Sequence, residues 1–262
     1  MRVIKALFVL LHIFLGLALL VVTGAFWNPL AKRVKVVKRW WLGHIMKLMS
    51  VEVEVYGVKP EKESDKGIIF VSNHVSWLDI PLIGGLQQLN FLSKAEVKKW
   101  PLVGKLADGT GTLFIQRGSG DSHSMVRQIA ERVNNGHSVL FFPEGTTTDG
   151  TSVKRFHPKL FRVACHTDAK FYPVIINYEV DGEPFNPVAF IDDDEFAEHL
   201  WHLLSFSHIK ARVEFLPAVS LEPENLRNQV REMEDTMRRK VEARSRKIDL
   251  TTGKEAPSAA SA

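Results

Sequence analysis

A histidine and an aspartate five residues apart follow a predicted strand directly, in the segment Asn73-His74-Val75-Ser76-Trp77-Leu78-Asp79. An imidazole at the end of a strand and a carboxylate in the first turn of the next helix can form a hydrogen-bonded pair. The carboxylate then fixes the imidazole tautomer and stabilises the imidazolium that forms after proton abstraction. His74 and Asp79 are therefore candidates for a general base and its partner. On this segment alone, a helix-capping Asp79 beside a polar loop histidine stays open as an alternative.

Two further loops follow predicted strands. The strand at 112–115 leads into Gln116-Arg117-Gly118, and the strand at 138–142 leads into the loop 143–150, which begins Pro143-Glu144-Gly145-Thr146. Ligands of open α/β sheets bind outside the carboxyl ends of the strands, so both loops are expected at the same rim as His74. A guanidinium suits bidentate binding of phosphate, and a Gly/Thr turn offers amides and hydroxyls to an anion. Together the three loops predict proton abstraction beside an anionic substrate.

Other catalytic chemistries have no motif in this sequence. There is no G-x-S-x-G segment, and the single cysteine, Cys165, is near neither loop, so a covalent acyl-enzyme is not indicated. There is also no H-E-x-x-H, C-x-x-C or Walker loop. We therefore expect neither a metal site nor a bound cofactor.

Four sequence blocks occur in a characteristic order. They are N-H-x-x-x-x-D at Asn73–Asp79, G-x-x-F-I-x-R at Gly111–Arg117, F-P-E-G-T at Phe142–Thr146, and the apolar-Pro-apolar strand at Tyr172-Pro173-Val174. In this order and spacing, the chain resembles the glycerolipid acyltransferases related to the 1-acyl-sn-glycerol-3-phosphate acyltransferases. The resemblance covers about residues 50–220.

The resemblance implies a reaction and a set of roles. His74 would be the general base on the acceptor hydroxyl, with Asp79 as its partner, and the hydroxyl would attack an acyl-CoA or acyl-ACP (acyl carrier protein) thioester directly. The fourth block would line the acyl-donor region, and no cofactor beyond the co-substrate would be needed. The residues expected to bind substrate, including the acceptor head group, are Asn73, Arg117, Glu144, Gly145, Thr146, Lys154 and Arg155.

The third block departs from the commonest pattern of the resembled family. Many members that use a phosphate acceptor read F-P-E-G-T-R-S, whereas Thr147 and Thr148 fill the last two positions here. A neutral hydroxyl is a weaker phosphate ligand than a guanidinium, although Lys154 and Arg155 downstream offer compensation. A Thr-rich block followed by Asp-Gly also resembles members that acylate lyso-ornithine lipid.

Four functions remain open for these residues. The first is acylation of 1-acyl-glycerol-3-phosphate to phosphatidic acid in phospholipid synthesis, because the block ending at Arg117 is intact. The alternative is O-acylation of lyso-ornithine lipid. A non-catalytic lipid-binding protein and a serine-type lipid hydrolase are the rivals from other classes. The intact His/Asp pair argues against the non-catalytic reading, because a binder has no need of a base.

The N-terminal fifth predicts membrane contact. From Ala6 to Trp27 the chain runs 22 residues without a formal charge, close to the ~20 that a membrane-crossing helix needs. A basic amphipathic helix follows over 30–50, so residues 1–50 carry eight Lys/Arg and no Asp/Glu. A spanning helix and two interfacial helices in one leaflet both fit, and a secretory signal peptide is a poorer match. If the first helix spans, the positive-inside rule places the body in the cytoplasm. With either arrangement we expect the catalytic domain on the cytoplasmic face of the inner membrane.

The body alternates predicted strands and helices, which indicates an α/β fold with a mostly parallel central sheet flanked by helices. The predicted strands cover 51–57, 67–72, 89–93, 112–115, 138–142, 171–178 and 209–216. The predicted helices of the body include 78–88, 121–135, 157–167 and roughly 224–246. We expect an acyltransferase domain over 51–248, behind the N-terminal two-helix membrane segment over 1–50. The tail over 249–262 is of low complexity and is expected to be disordered. Beyond residue 50 acids outnumber bases, so an anionic membrane surface is a better partner than nucleic acid.

Overall fold

The computed structural model describes residues 2–60, 65–116, 122–183, 186–191 and 194–252, the last six without their side chains. The α-helices in these ranges are α1 (Arg2–Val22), α2 (Lys32–Leu48), α3 (Asp79–Leu86), α4 (Val103–Gly109), α5 (Ser122–Asn134), α6 (Phe196–Leu203) and α7 (Leu226–Thr252). Two 3-10 helices cover Ala95–Lys99 and Pro158–Cys165.

The strands form one sheet. They are β1 (Val51–Gly57), β2 (Ile69–Ser72), β3 (Leu89–Lys94), β4 (Leu113–Ile115), β5 (Ser138–Phe141), β6 (Phe171–Glu179) and β7 (Ile209–Phe215). Their order across the sheet is β1-β7-β6-β2-β5-β3-β4. The β6–β7 pairing is antiparallel and the other pairings are parallel. The predicted α/β class with a mostly parallel sheet is confirmed.

Helices cover both faces of the sheet, which explains why its central strand, β2, is buried along its whole length. Along β2, Ile69 and Val71 pack against one core, with α5 and α7, while Phe70 packs against the other, with α2 and α3. Strand β2 pairs with β5 on one side and β6 on the other. The loops after β2 and β5 therefore leave the same rim as neighbours.

Helix α1 packs on α2 through one face and exposes the other. His12 donates from Nε2 to the Trp41 carbonyl at 3.0 Å, and the Trp41 indole donates to the His12 carbonyl at 2.9 Å. On the opposite face Leu7, Leu11 and Phe14 are exposed. Among the described helices, α1 is the one long and apolar enough to cross a bilayer. Exposed apolar residues on such a helix indicate membrane association.

Some elements differ from expectation. The helix predicted over 157–167 is a 3-10 helix, and the helix predicted to end near 246 continues to Thr252. Two elements between β3 and β4 were not predicted, because Pro101 and Gly104 interrupt any amphipathic period there. Most of the predicted tail, from residue 253 onward, lies outside the described residues.

Candidate active site

His74 and Asp79 form the expected pair. His74 Nδ1 lies 2.7 Å from Asp79 Oδ2, with the aspartate fully buried and the imidazole partly exposed. A carboxylate oxygen accepts, so the proton on this bond belongs to Nδ1. The second ring nitrogen, Nε2, is then left to act on a substrate, which is the tautomer that a general base needs.

Asp79 is the first residue of α3, yet it does not cap that helix. Its Oδ2 atom also accepts the backbone N–H groups of Val75 and Ser76, at 2.8 and 3.1 Å, and both belong to the turn before the helix. Its Oδ1 atom accepts the Tyr178 hydroxyl at 2.8 Å. The helix-capping alternative is therefore wrong, since this carboxylate accepts bonds from the preceding turn and from Tyr178 but makes no side-chain cap bond to α3.

The loop after β5 packs against one face of the His74 ring. The Phe142 ring stacks on the imidazole, and the chain then turns at Gly145, whose φ of +72° favours glycine. The Gly145 N–H closes this turn on the Phe142 carbonyl at 3.1 Å. This amide is consequently used within the loop.

Glu144 supports the base instead of facing a ligand. Its carboxylate accepts the backbone N–H of His74 at 2.8 Å and that of Lys154 at 2.7 Å, and its residue is 3% exposed. Burial raises the pKa of this carboxyl to about 7, the nearby Asp79 adds to the rise, and the two N–H bonds oppose it. The expected contact of Glu144 with a head group is not supported by this arrangement.

Asn73 is also a framework residue. Its side-chain amide donates to the Ile176 carbonyl at 2.9 Å, and its side-chain oxygen accepts the Ile176 N–H at 2.8 Å. The side chain is fully buried. Both bonds extend the pairing of β2 with β6, and they occupy the side-chain groups that the expected substrate contact of Asn73 would use.

The threonines of the third block divide into two kinds. Thr148 is buried and donates its N–H and its hydroxyl to the His74 carbonyl, at 2.9 and 3.2 Å. Thr146 and Thr147 instead line the cavity beside His74, and their hydroxyls make no hydrogen bond within the described ranges. These two hydroxyls are free to meet an acceptor.

The predicted cations do not all reach the site. The side chains of Lys154 and Arg155 are exposed and do not line the cavity, so the expected compensation does not come from them. Lys159 and Lys94 line it instead. Arg117 lies outside the described residues, and its role stays a prediction.

A cavity of about 900 Å³ opens beside His74, toward the upper end of the ~300–1,000 Å³ usual for ligand pockets. Its wall runs from the threonines of the third block to apolar side chains of the N-terminal helices, including Ile13 on α1 and Trp41 on α2. Trp77 and Leu106 contribute from the body. His74 thus lies between the polar loop of the third block and the apolar part of the cavity.

Sequence reasoning missed three residues of this arrangement. Phe142 was visible as the first letter of the third block, but nothing in the sequence marked it as a ring partner of the base. Tyr178 follows Pro173 by five residues and carried no signal, because its contact with Asp79 depends on the pairing of β2 with β6. Thr148 differs from the commoner pattern of the third block, but nothing in the sequence predicted its bonds to the His74 carbonyl. Within the described ranges no group of three or more His, Cys, Asp or Glu residues is placed to hold a metal ion.

A His–Asp pair at the mouth of an apolar cavity, on a mostly parallel sheet, can take a proton from a hydroxyl beside an apolar substrate. Residues 52–177 match the Acyltransferase family model. The chain is 43% identical over 196 residues to the lyso-ornithine lipid O-acyltransferase of Pseudomonas aeruginosa, covering 75% of this chain and 73% of the relative. It is 31% identical over 170 residues to the 1-acyl-sn-glycerol-3-phosphate acyltransferase of Neisseria meningitidis, covering 64% and 67%.

The fold has a solved counterpart. The 1-acyl-sn-glycerophosphate acyltransferase PlsC of Thermotoga maritima superposes with a TM-score of 0.61 at 20% identity, covering 98% of this chain and all of that one. The chain belongs to the acyltransferase family and is an O-acyltransferase. The predicted family and enzyme class are confirmed.

Proposed function

We propose that this enzyme transfers a fatty acyl group from a thioester to the free hydroxyl of a lysolipid, with His74 as the general base. The observation that carries the proposal is the Nδ1–Asp79 bond, which leaves Nε2 as the ring nitrogen that can act at the cavity. A lipid-binding protein has no need of a buried carboxylate behind an imidazole.

The reaction is a single displacement in this proposal. The acceptor hydroxyl attacks the thioester carbonyl carbon while its proton passes to Nε2 of His74, and Asp79 stabilises the imidazolium. Collapse of the tetrahedral intermediate breaks the C–S bond, and the sulfur leaves with the imidazolium proton. The products are an ester and a free thiol, of CoA or of an acyl carrier protein.

The proposed acceptor is lyso-ornithine lipid. Thr147 provides a neutral hydroxyl at the cavity where many phosphate-acceptor enzymes have an arginine, and Lys154 and Arg155 do not line the cavity in its place. The 43% identity to a lyso-ornithine lipid O-acyltransferase favours the same acceptor. Lysophosphatidate is the second candidate, because the block at Gly111–Arg117 is intact and a relative at 31% identity uses that class of acceptor by name.

We further propose that the enzyme sits on the cytoplasmic face of the inner membrane, with α1 lying in one leaflet. Both ends of α1 contact the body: Arg2 donates to the Trp201 carbonyl at 2.6 Å, and Leu20 lies against Gly109 of α4. A helix held at both ends by one domain favours the interfacial arrangement over a crossing.

Product analysis tests this function. Purified enzyme in mixed micelles receives acyl-CoA or acyl carrier protein thioester, with lyso-ornithine lipid and lysophosphatidate in equal amounts. We expect thiol release that depends on lysolipid and an excess of ornithine lipid among the products. His74→Ala should abolish both while leaving membrane binding intact, whereas the exposed His166→Ala should match the wild type. Near-wild-type turnover by His74→Ala would refute the mechanism.

A further inference from the structure

Tyr178 reaches the catalytic pair from the opposite side of Asp79. It lies on β6, is 3% exposed, and donates its hydroxyl to Asp79 Oδ1 at 2.8 Å. The other carboxylate oxygen, Oδ2, accepts His74 and two backbone N–H groups. Among the described residues, the phenol is thus the hydrogen-bond donor to Oδ1.

The strand pairing explains how a residue 99 positions away comes to this point. The two side-chain bonds of Asn73 fix Ile176 of β6 beside the end of β2. Side chains two residues apart on a strand share a face, so Tyr178 projects on the same side as Ile176. Both belong to the core under α3, the helix that begins with Asp79.

We propose that Tyr178 is a positioning residue for acyl transfer. Its hydrogen bond to Oδ1 holds Asp79 with Oδ2 toward His74, and it draws negative charge away from Oδ2, the oxygen that contacts the imidazole. This inference rests on the proposed role of His74 as the base. Burial raises the pKa of the Tyr178 hydroxyl well above its ordinary value, and the neighbouring Asp79 adds to the rise, so the phenol remains a donor at neutral pH.

Other charged groups face this network and must be separated from it. Glu144, on the loop after β5, accepts the backbone N–H groups of His74 and Lys154, and the charged side chain of Lys154 is exposed. The pKa of Glu144 is about 7, so this carboxyl can itself contribute to the pH profile near neutrality. Since Glu144 is common to the wild type and a Tyr178 variant, its contribution cancels when their pH profiles are compared.

The test is the pH dependence of kcat/KM for Tyr178→Phe. Without the phenol, more negative charge faces the imidazole, which holds its proton more tightly, and Asp79 itself is less stabilised as an anion. Both effects move the acidic limb of the profile, the range in which kcat/KM rises with pH, to higher pH by about half a unit or more. We expect kcat to fall about five- to tenfold with KM within about twofold.

Tyr56→Phe is the matched control, because Tyr56 also donates to a carboxylate, that of Glu54 at 2.7 Å, but on an exposed part of β1. Its limb should coincide with that of the wild type. If the limb of Tyr178→Phe also coincides with the wild type, the inference is overturned, whatever the loss of activity, because a purely structural tyrosine lowers activity equally at all pH values.

A second variant keeps the test decisive if Tyr178→Phe fails to fold. Site-specific 3-fluorotyrosine at position 178 keeps the ring and strengthens the donor, so the acidic limb should move to lower pH. An unmoved limb again overturns the inference. An active His74→Ala enzyme would instead refute the proposed role of His74 as the base, so the two failures are distinguishable.

Discussion

The imidazole of His74 lies flat on the ring of Phe142, with centroids 3.8 Å apart and planes inclined by 9°. The ring thereby blocks one face of the base, while Asp79 holds one edge at Nδ1. The remaining edge, at Nε2, is the one proposed to meet the acceptor. Phe142, the first residue of the third block, thus packs on the proposed base of the first block.

Replacing Phe142 with leucine should lower kcat and leave KM nearly unchanged. A stacked aromatic pair contributes about 0.5–1.5 kcal/mol, so a decrease of about two- to twelvefold is expected. Phe141→Leu is the control, because its side chain packs into the opposite core against Phe161. That variant should lower the melting temperature with a smaller effect on kcat. Equal effects of both on kcat would contradict an orienting role for Phe142.

Thr147→Arg should shift acceptor preference toward lysophosphatidate. The substitution places a guanidinium at the cavity, where bidentate phosphate binding is possible. We expect the ratio of kcat/KM for lysophosphatidate over lyso-ornithine lipid to rise about tenfold, as one charge-assisted bond warrants. Thr147→Gln matches the size without the charge and should leave the ratio unchanged. An equal ratio in both variants would show that this position does not read the head group.

Glu144→Gln should change how stability depends on pH. The pKa of this carboxyl is about 7 in the folded protein, against 4.5 for its ordinary value, so the folded state binds the proton more tightly. The wild type should therefore gain stability as pH falls from 7 toward 4.5, by about 1.4 kcal/mol for each unit of the difference. Thermal unfolding in detergent at pH 5 and pH 8 measures this gain. A melting-temperature difference between wild type and variant that is the same at both pH values would contradict it.

Gly85→Ala should destabilise the enzyme and reduce its activity. A Cβ on Gly85 of α3 would lie 2.7 Å from the Cα of Gly43 on α2, so the two helices must separate. Overpacking of this kind costs about 1–3 kcal/mol, and α3 carries Asp79 at its start. Gly43→Ala is the control, since its Cβ lies at an ordinary 3.6 Å from Gly85 and alanine favours a helix. Equal melting temperatures for the two variants would refute this view of the contact.

The interfacial position of α1 predicts which side of the membrane its two ends face. In a Cys165→Ser background, Val3→Cys and Val22→Cys place a thiol at either end of α1, at positions that are exposed. An impermeant maleimide should label both in inside-out vesicles and neither in intact spheroplasts. Labelling of one end from each side would establish a spanning helix and refute the one-leaflet arrangement.

The sequence predicted what depends on local pattern. The seven strands of the described ranges follow from apolar runs, and the His74–Asp79 pair follows from one short segment, so no distant contact was needed to find them. The contacts of Glu144 and Asn73 could not be predicted, because the sequence of a motif does not show whether a polar side chain binds a ligand or a backbone group. Their burial arises from the strand order, and Tyr178 became visible only through that order.

The cavity also lay beyond sequence reasoning. Its wall combines Ile13 of α1 and Trp41 of α2 with side chains of the body, so it exists only after the N-terminal helices fold back over the sheet. The basic amphipathic pattern predicted that these helices exist and meet a membrane. It did not predict that they form part of the substrate site, because their packing partners are distant in sequence.

The packing of α1 against the cavity has a kinetic consequence. Because the reaction space is bounded by a helix whose outer face meets lipid, an acceptor can enter sideways from the leaflet without its tail crossing water. Turnover should then follow the mole fraction of lysolipid in the surface, and adding inert phospholipid should slow the enzyme even when the bulk lysolipid concentration is constant. In the proposed arrangement, substrate would reach the enzyme by diffusion within the plane of the membrane.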